Sequence, residues 1–229
     1  RGEPVYGSRA VVDVQAVREL QRPFWLAGAY GSPERVVQAL DAGATGVQVG
    51  TAFAFCQESG LSNDIKRRVL RTSRCGELDV FTDPVASPTG FPFKILRLEG
   101  TLSESIYYQQ RQRRCDLGFL RQAHKKSDGG IGWRCPAERV ESYVRAGGKA
   151  DDAVGRKCLC NGLLANVALP QVRDGQQERP LLTCGDDVQS TLARLISHGN
   201  SMSYSAADVV RYLLQDTRTE KLVASIEPN

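Results

Sequence analysis

The chain of 229 residues has few of the residues and segments that would place it in a protein class directly. Its only methionine is Met202, and its only histidines are His124 and His198. No apolar run approaches the ~20 residues that a membrane-spanning helix requires, and there is no signal-peptide core, internal repeat or low-complexity segment. We therefore expect a cytoplasmic globular protein without a membrane partner.

Composition narrows the function only slightly. Hydrophobic residues make up 41% of the chain and charged residues 24%, which are ordinary values for a soluble globular protein. The formal net charge of +4 is too small to imply a polyanionic partner by itself. Because the chain begins at Arg1 and not at a methionine, we expect it to be a fragment or a processed piece of a longer protein.

Seven cysteines without a secretory signal favour reduced thiols over a disulfide framework. Four of them, Cys115, Cys135, Cys158 and Cys160, follow the spacing C-x19-C-x22-C-x-C. Four thiolates suit Zn²⁺ or an iron–sulfur cluster, with Zn²⁺ the first expectation. The spacing lacks the usual paired C-x-x-C knuckles, so small buried thiols are the alternative. Packing roles are expected for the other three, which are Cys56, Cys75 and Cys184.

The stretch from Pro23 to Phe55 has the pattern of a right-handed βαβ unit. The apolar run PFWLAG predicts a buried parallel strand, and TGVQVG predicts the second strand. Between them, Ser32 is a favourable helix N-cap and Pro33 occupies the first helical position. Gly43 supplies a left-handed stop for the helix.

Both predicted strands end in a glycine turn at the same edge of the sheet. Glycine lets the main chain approach a ligand closely, and the turn amides can donate hydrogen bonds to phosphate oxygens. The alternative is that these glycines only permit tight turns. The predicted phosphate donors are the backbone amides of Gly28, Ala29, Gly31, Gly50 and Thr51, together with the Thr51 hydroxyl, and Gln48 and Val49 lie at the strand end.

Several motifs resemble one family. LAGAYGSPE, GATGVQVGTAF, ESGL and TDPVASPTGFPFK look like the last βαβ unit and the following segment of the nitronate monooxygenase (2-nitropropane dioxygenase-like) family. RCPAE, GGK, GRKCLCNGLLAN and SYSAADVVRYLL resemble the C-terminal extension of one subgroup. Ala29 departs from the family, which often has a second glycine there. Its amide remains available unless the position requires a positive φ.

The resemblance implies an α/β fold, the C-terminal part of an FMN-binding (β/α)8 TIM barrel that is incomplete in this chain. Residues 1–97 would hold the last barrel strands and helices, and residues 98–229 a mostly helical, cysteine-containing extension. In the family, FMN oxidises alkyl nitronates with O₂, the residue at Gln48 lies beside the flavin, and the catalytic base is a histidine. We expect that base upstream of residue 1, and no catalytic residue within this chain. A homodimer is compatible with these expectations.

Three other functions stay open at this point. The first is a flavin-dependent NAD(P)H enoyl reductase of the fatty-acid or polyketide type. The second is a non-catalytic interaction module held together by a metal in residues 98–229. The third is a non-redox phosphate-binding barrel that uses the same two turns.

The stretch from Ser105 to Lys126 contains six basic residues and one acid, Asp116, interleaved with Tyr107, Tyr108 and Phe119. Such a run can bind nucleic acid, but we interpret it as a solvated helical face and expect no nucleic-acid partner. Neither His124 within the run nor His198 at a predicted helix end is expected to be a catalytic base.

Overall fold

The computed structural model describes residues 1–197 and 202–215. The expectation for His198 lies outside these residues. The α-helices are α1 (Val14–Glu19), α2 (Pro33–Asp41), α3 (Thr51–Ala54), α4 (Asn63–Arg74), α5 (Ser105–Gln110), α6 (Val140–Arg145), α7 (Leu159–Asn166), α8 (Val188–Ser197) and α9 (Ala206–Leu213), with short 3₁₀ turns at Ser8–Ala10 and Ala150–Ala153.

Strands pair in twos throughout the described part of the chain. They are β1 (Trp25–Ala27), β2 (Gly46–Gln48), β3 (Asp79–Asp83), β4 (Phe93–Arg97), β5 (Gln122–Lys125), β6 (Ile131–Arg134), β7 (Val172–Arg173) and β8 (Gln176–Gln177). β1 and β2 are parallel, and the other three pairs are antiparallel. Residues 1–197 and 202–215 do not form a closed barrel by themselves, so the barrel stays a prediction.

The chain divides into two compact units. One contains residues 1–4 and 79–183, and the other contains residues 5–78 with the described residues from Cys184 onwards. This division differs from the predicted boundary between residues 97 and 98. The β3–β4 hairpin groups with the segment that follows it, because Leu96 N–H donates to the Leu182 carbonyl and Leu102 N–H to the Pro180 carbonyl.

In the unit that begins at Val5, local signals place α2 as predicted. Ser32 caps α2 by accepting from Arg35 N–H, Pro33 begins that helix, and Gly43 follows it with a φ of +87°. Ser62 caps α4, which buries Ile65, Val69 and Leu70. Leu26 of β1 packs with Ala39 and Ala44, which fixes the helix against the parallel strands.

The other unit has a core built around fully buried Leu102 and Leu181, packed with Ile95 and Leu159. The β5–β6 and β7–β8 hairpins lie among its helices, which differs from the mostly helical extension predicted after residue 97. The helical face predicted for residues 105–126 is wrong beyond Gln110. The backbone is extended at Arg111, whose side chain enters a buried ion pair, and residues 122–125 form β5.

Candidate functional site

The parallel register brings the two predicted phosphate turns to adjacent strand ends. Ala27 is the partner of Gln48, so Gly28 and Val49 are the next residues on neighbouring strands. A Cβ added to Gly31 would stand 3.5 Å from Val49 Cγ1, so the first turn closes over the end of β2. Gln48 is exposed, as a residue that faces a ligand must be.

The turns leave main-chain amides available. Among the described residues, no hydrogen bond engages the N–H of Ala29, Gly31 or Gly50. A Cβ added to Gly28 or to Gly50 would meet nothing within 4 Å, so the space in front of both glycines is open. Ala29 and Gly50 are exposed, whereas Gly31 is buried. The unbonded amides of the two exposed residues can donate to an anion without first breaking a bond within the protein.

The Thr51 hydroxyl, a predicted phosphate donor, is engaged by one hydrogen bond within the protein. Its Oγ1 accepts a hydrogen bond of 2.9 Å from Gly185 N–H, which uses one lone pair of the hydroxyl oxygen. The hydroxyl proton is still available for a ligand, because a threonine hydroxyl can donate once while it accepts. The bond to Gly185 also fixes the rotamer of Thr51 at the end of β2.

Ala29 adopts a φ of +58°, so the position has the positive φ that would put the predicted role of its amide in question. A left-handed conformation costs an alanine about 1 kcal/mol more than it costs a glycine. Gly28 precedes it with a φ of +89°, which only glycine adopts without strain. The amide of Ala29 forms no hydrogen bond within the protein. Alanine at this position therefore strains the turn but leaves its N–H free to donate.

One acidic residue at this site was not predicted. Asp187 Oδ2 lies 3.6 Å from where a Cβ of Gly31 would stand, and Asp187 Oδ1 would contact a Cβ at Gly185. A carboxylate so near the first turn disfavours a bound anion by like-charge repulsion. No sequence signal indicated this contact, because it joins residues more than 150 positions apart.

The four predicted metal ligands are only partly brought together. Cys135 and Cys158 are buried and pack with Ala137 in one cluster, while Cys115 and Cys160 are half-buried. Burial raises the pKa of Cys135 to about 11, and the nearby Cys115 and Cys158 add to the effect. In the described ranges, no group of three or more His, Cys, Asp or Glu side chains is arranged to hold a metal ion. The four-thiolate site stays a prediction.

The remaining three cysteines and His124 differ in their burial and contacts. Cys56 is buried, and burial raises the pKa of its thiol. Cys184 is half-buried, whereas Cys75 is exposed, so the packing role predicted for Cys75 is wrong. It follows α4 directly, at the C-cap, where the helix leaves the core. His124 lies on β5 with its ring over Gly132, where a Cβ would come within 2.5 Å of the ring.

Comparison with known proteins identifies no relative: no protein-family model matches the chain, and no curated protein is significantly similar to it. Within residues 1–197 and 202–215, none of the helices has the length and apolar character needed to cross a membrane.

Proposed function

We propose that this chain supplies the phosphate end of an FMN site in an oxidoreductase that resembles nitronate monooxygenase. The observation that supports the proposal is the pair of glycine turns at adjacent ends of β1 and β2, with unbonded amides at Ala29, Gly31 and Gly50. Turns of this kind at the ends of neighbouring parallel strands are a common way to bind phosphate in barrel enzymes.

The residues present fit a flavin phosphate in most respects. The amides of the two turns and the Thr51 hydroxyl would hold the phosphate oxygens, and exposed Gln48 would face the remainder of the cofactor. FMN, when bound, supplies the redox chemistry, while the protein binds and orients it. Asp187 is the one unfavourable neighbour, and it limits the affinity of the turns for a dianion.

The proposal assigns no proton transfer to this chain. We expect the base that removes the substrate proton upstream of residue 1, with O₂ and an alkyl nitronate as the reactants. The 229-residue chain alone is expected to be inactive and to bind FMN weakly, because a phosphate site without walls for the isoalloxazine ring buries too little of the ligand. Tight FMN binding by the isolated chain would contradict this expectation.

Gly50→Val is the sharpest test. Gly50 has a negative φ of −108° and open space at its Cβ, so valine should be tolerated by the fold while it fills the space before the amides. In the complete natural protein we expect at least a tenfold rise in the Kd for FMN, read from flavin fluorescence. Gly7→Val is the matched control, because Gly7 also has a negative φ and an open Cβ position but lies outside the turns.

The outcomes separate the alternatives. A complete protein without flavin absorbance would favour a non-redox phosphate-binding barrel. If flavin is bound, nitronate-driven O₂ uptake supports the proposal, whereas NAD(P)H-driven enoyl reduction supports the reductase. Equal Kd values for the Gly50→Val and Gly7→Val variants would show that the turns do not hold the cofactor.

The shared burial of Cys135 and Cys158 supports a second candidate, a metal-stapled module in the region after residue 97. A bound Zn²⁺ would deprotonate thiols that are otherwise protonated at neutral pH. We expect about one equivalent of zinc by elemental analysis, lost in Cys158→Ser and in Cys160→Ser and kept in Cys75→Ser. No zinc in the original chain would contradict this candidate.

A further inference from the structure

A cavity of about 460 Å³ lies in the unit that contains residues 79–183, separate from the glycine turns. Its lining includes four arginines, Arg113, Arg114, Arg121 and Arg139, together with one acidic residue, Glu138, and the thiol of Cys115. Its volume is within the range of small-molecule sites. Its lining is far more positive than the +4 charge of the whole chain would suggest.

Most of this positive charge is not neutralised locally. Arg121 lies 4.0 Å from Glu138, at the limit of an ion pair, and Arg114 lies 3.4 Å from Asp116 with its side chain 68% exposed. Arg113 stands over the ring of Tyr108, and neither Arg113 nor Arg139 forms an ion pair with a described residue. Two guanidinium groups in the cavity are thus available to a ligand.

The wall that carries Arg113, Arg114 and Cys115 is held by a buried network. Glu178, with a side chain 1% exposed, accepts from Arg111 at 2.7 Å and from Arg173 at 2.9 Å. Arg173 also pairs with Asp116. The wall therefore begins and ends at anchored residues, Arg111 and Asp116.

Asn161 adds a third anchor. It is fully buried, and its Nδ2 donates to the Arg114 carbonyl and to Asp116. On the opposite wall, Cys135 N–H donates to Glu138 at 3.1 Å and fixes the turn before Arg139. These bonds fix the backbone of both walls, so less backbone entropy is lost when the cavity binds a ligand.

We propose that this cavity binds a small phosphorylated anion that carries at least two negative charges, such as a pyrophosphate group. Guanidinium groups present their N–H donors in a planar fork that matches phosphate oxygens. Two unpaired arginines match two phosphoryl groups, and the partly paired Arg114 and Arg121 add to the positive charge of the lining. The site shares no residue with the glycine turns, so it stands or falls independently of the flavin proposal.

Cys115 allows a direct test in the intact chain, because its half-buried thiol lines the cavity. Iodoacetamide labelling, resolved by peptide mass spectrometry, is followed with and without inorganic pyrophosphate at constant ionic strength. We expect pyrophosphate to slow the labelling of Cys115 at least fivefold, in a saturable manner. The labelling of Cys75, which is exposed and lies in the other unit, should not change.

Substitutions locate the ligand. Arg113→Gln with Arg139→Gln should raise the pyrophosphate concentration for half-maximal protection at least tenfold. Arg145→Gln, an exposed arginine of α6 that does not line the cavity, is the matched control and should leave it unchanged. If the double variant unfolds, Arg139→Gln alone is used, since this side chain is exposed. Isothermal titration calorimetry replaces labelling if Cys115 does not react, as it would not if it held a metal ion.

Three results would overturn the proposal. The first is equal protection of Cys115 by chloride at the same ionic strength, which would reduce the effect to screening. The second is unchanged protection in the arginine variants. The third is protection by a single-stranded oligonucleotide at lower phosphate concentration than by pyrophosphate, which would make the cavity part of a nucleic-acid surface.

Discussion

The two candidate anion sites of this molecule are built from different groups. The turns after β1 and β2 offer uncharged main-chain amides, and a carboxylate beside the first turn, Asp187, has the same sign as the ligand. The cavity around Cys115 offers guanidinium side chains that carry full charges. Amides select a ligand by geometry and respond weakly to salt, whereas a ring of arginines attracts any small polyanion and weakens as ionic strength rises.

This difference has a consequence for stability. Amide turns need only a backbone conformation, which glycine supplies at little cost. Arginines that lie close together repel one another, so their charges must be balanced. Here the buried carboxylate of Glu178 pairs with both Arg111 and Arg173. The arginine site should therefore depend on a charge balance that the turns do not require.

The largest expected effect comes from removing that carboxylate. Glu178→Ala leaves Arg111 and Arg173 buried without their partner, which should lower the free energy of unfolding by about 3–5 kcal/mol. Asp64→Ala, which breaks exposed pairs with Arg67 and Arg68, is the control and should cost less than about 1 kcal/mol. Urea denaturation measures both. Equal losses of unfolding free energy in the two variants would show that the buried carboxylate contributes no more to stability than an exposed one.

Acid should act through the same carboxylate. Burial alone would raise the pKa of Glu178, but the hydrogen bonds and charges of Arg111 and Arg173 outweigh burial and hold the pKa below its ordinary value. The ion pairs therefore stabilise the fold above the ordinary glutamate pKa, and this contribution is lost as pH falls through the lowered one. Glu178→Gln should flatten this part of the stability curve, measured by urea denaturation at successive acidic pH values. An unchanged slope would contradict the assignment.

The sequence predicts the turns better than the arginine cavity for a physical reason. Glycines, caps and strand ends act within a few residues, so the Ser32 cap and the stop at Gly43 are both confirmed. Arg111 and Glu178 are 67 residues apart, and nothing local connects them. The basic run was visible, but its fold depends on this distant partner.

A smaller effect should follow from removing the like charge beside the turns. Asp187→Asn keeps the shape of the side chain and removes a repulsion of about 1 kcal/mol, the value for a unit charge roughly 8 Å from a dianion at the dielectric constant of water. We expect FMN to bind the complete protein roughly fivefold more tightly, read from flavin fluorescence. Asp186→Asn is the neighbouring control. Unchanged affinity would mean that the phosphate does not lie near the first turn.

Relief of strain at Ala29 should have a still smaller effect. Ala29→Gly removes about 1 kcal/mol of left-handed strain, and the extra freedom of glycine in the unfolded chain offsets roughly half of it. The net gain in unfolding free energy should be ~0.5 kcal/mol by urea denaturation. Ala42→Gly, at a residue with a right-handed conformation, is the control and should destabilise. A loss at Ala29 would mean that the turn does not need a positive φ.

The smallest expected effect concerns the carboxylate of Asp208, which accepts hydrogen bonds from both an amide and a guanidinium group. Asp208 accepts from Ser205 N–H at 2.8 Å and from Arg211 at 2.6 Å. The backbone bond to Ser205 contributes most, the Ser205 hydroxyl next and Arg211 less, and together they lower the pKa of Asp208 to about 2. The cap should thus stabilise α9 above the ordinary aspartate pKa and lose that effect as pH falls through about 2.

Arg211→Gln should leave most of the pKa depression of Asp208 in place, and Ser205→Ala, which removes the hydroxyl but keeps the backbone N–H, should remove somewhat more of it. The depression that remains in the double variant measures the contribution of the amide, and carboxyl-carbon NMR titration of the three variants ranks the partners. The charge of Arg211 is solvated, since its side chain is 73% exposed, whereas the amide is fixed by the helix start. If Arg211→Gln removes more of the depression than remains in the double variant, side-chain charge outweighs main-chain geometry even at an exposed cap.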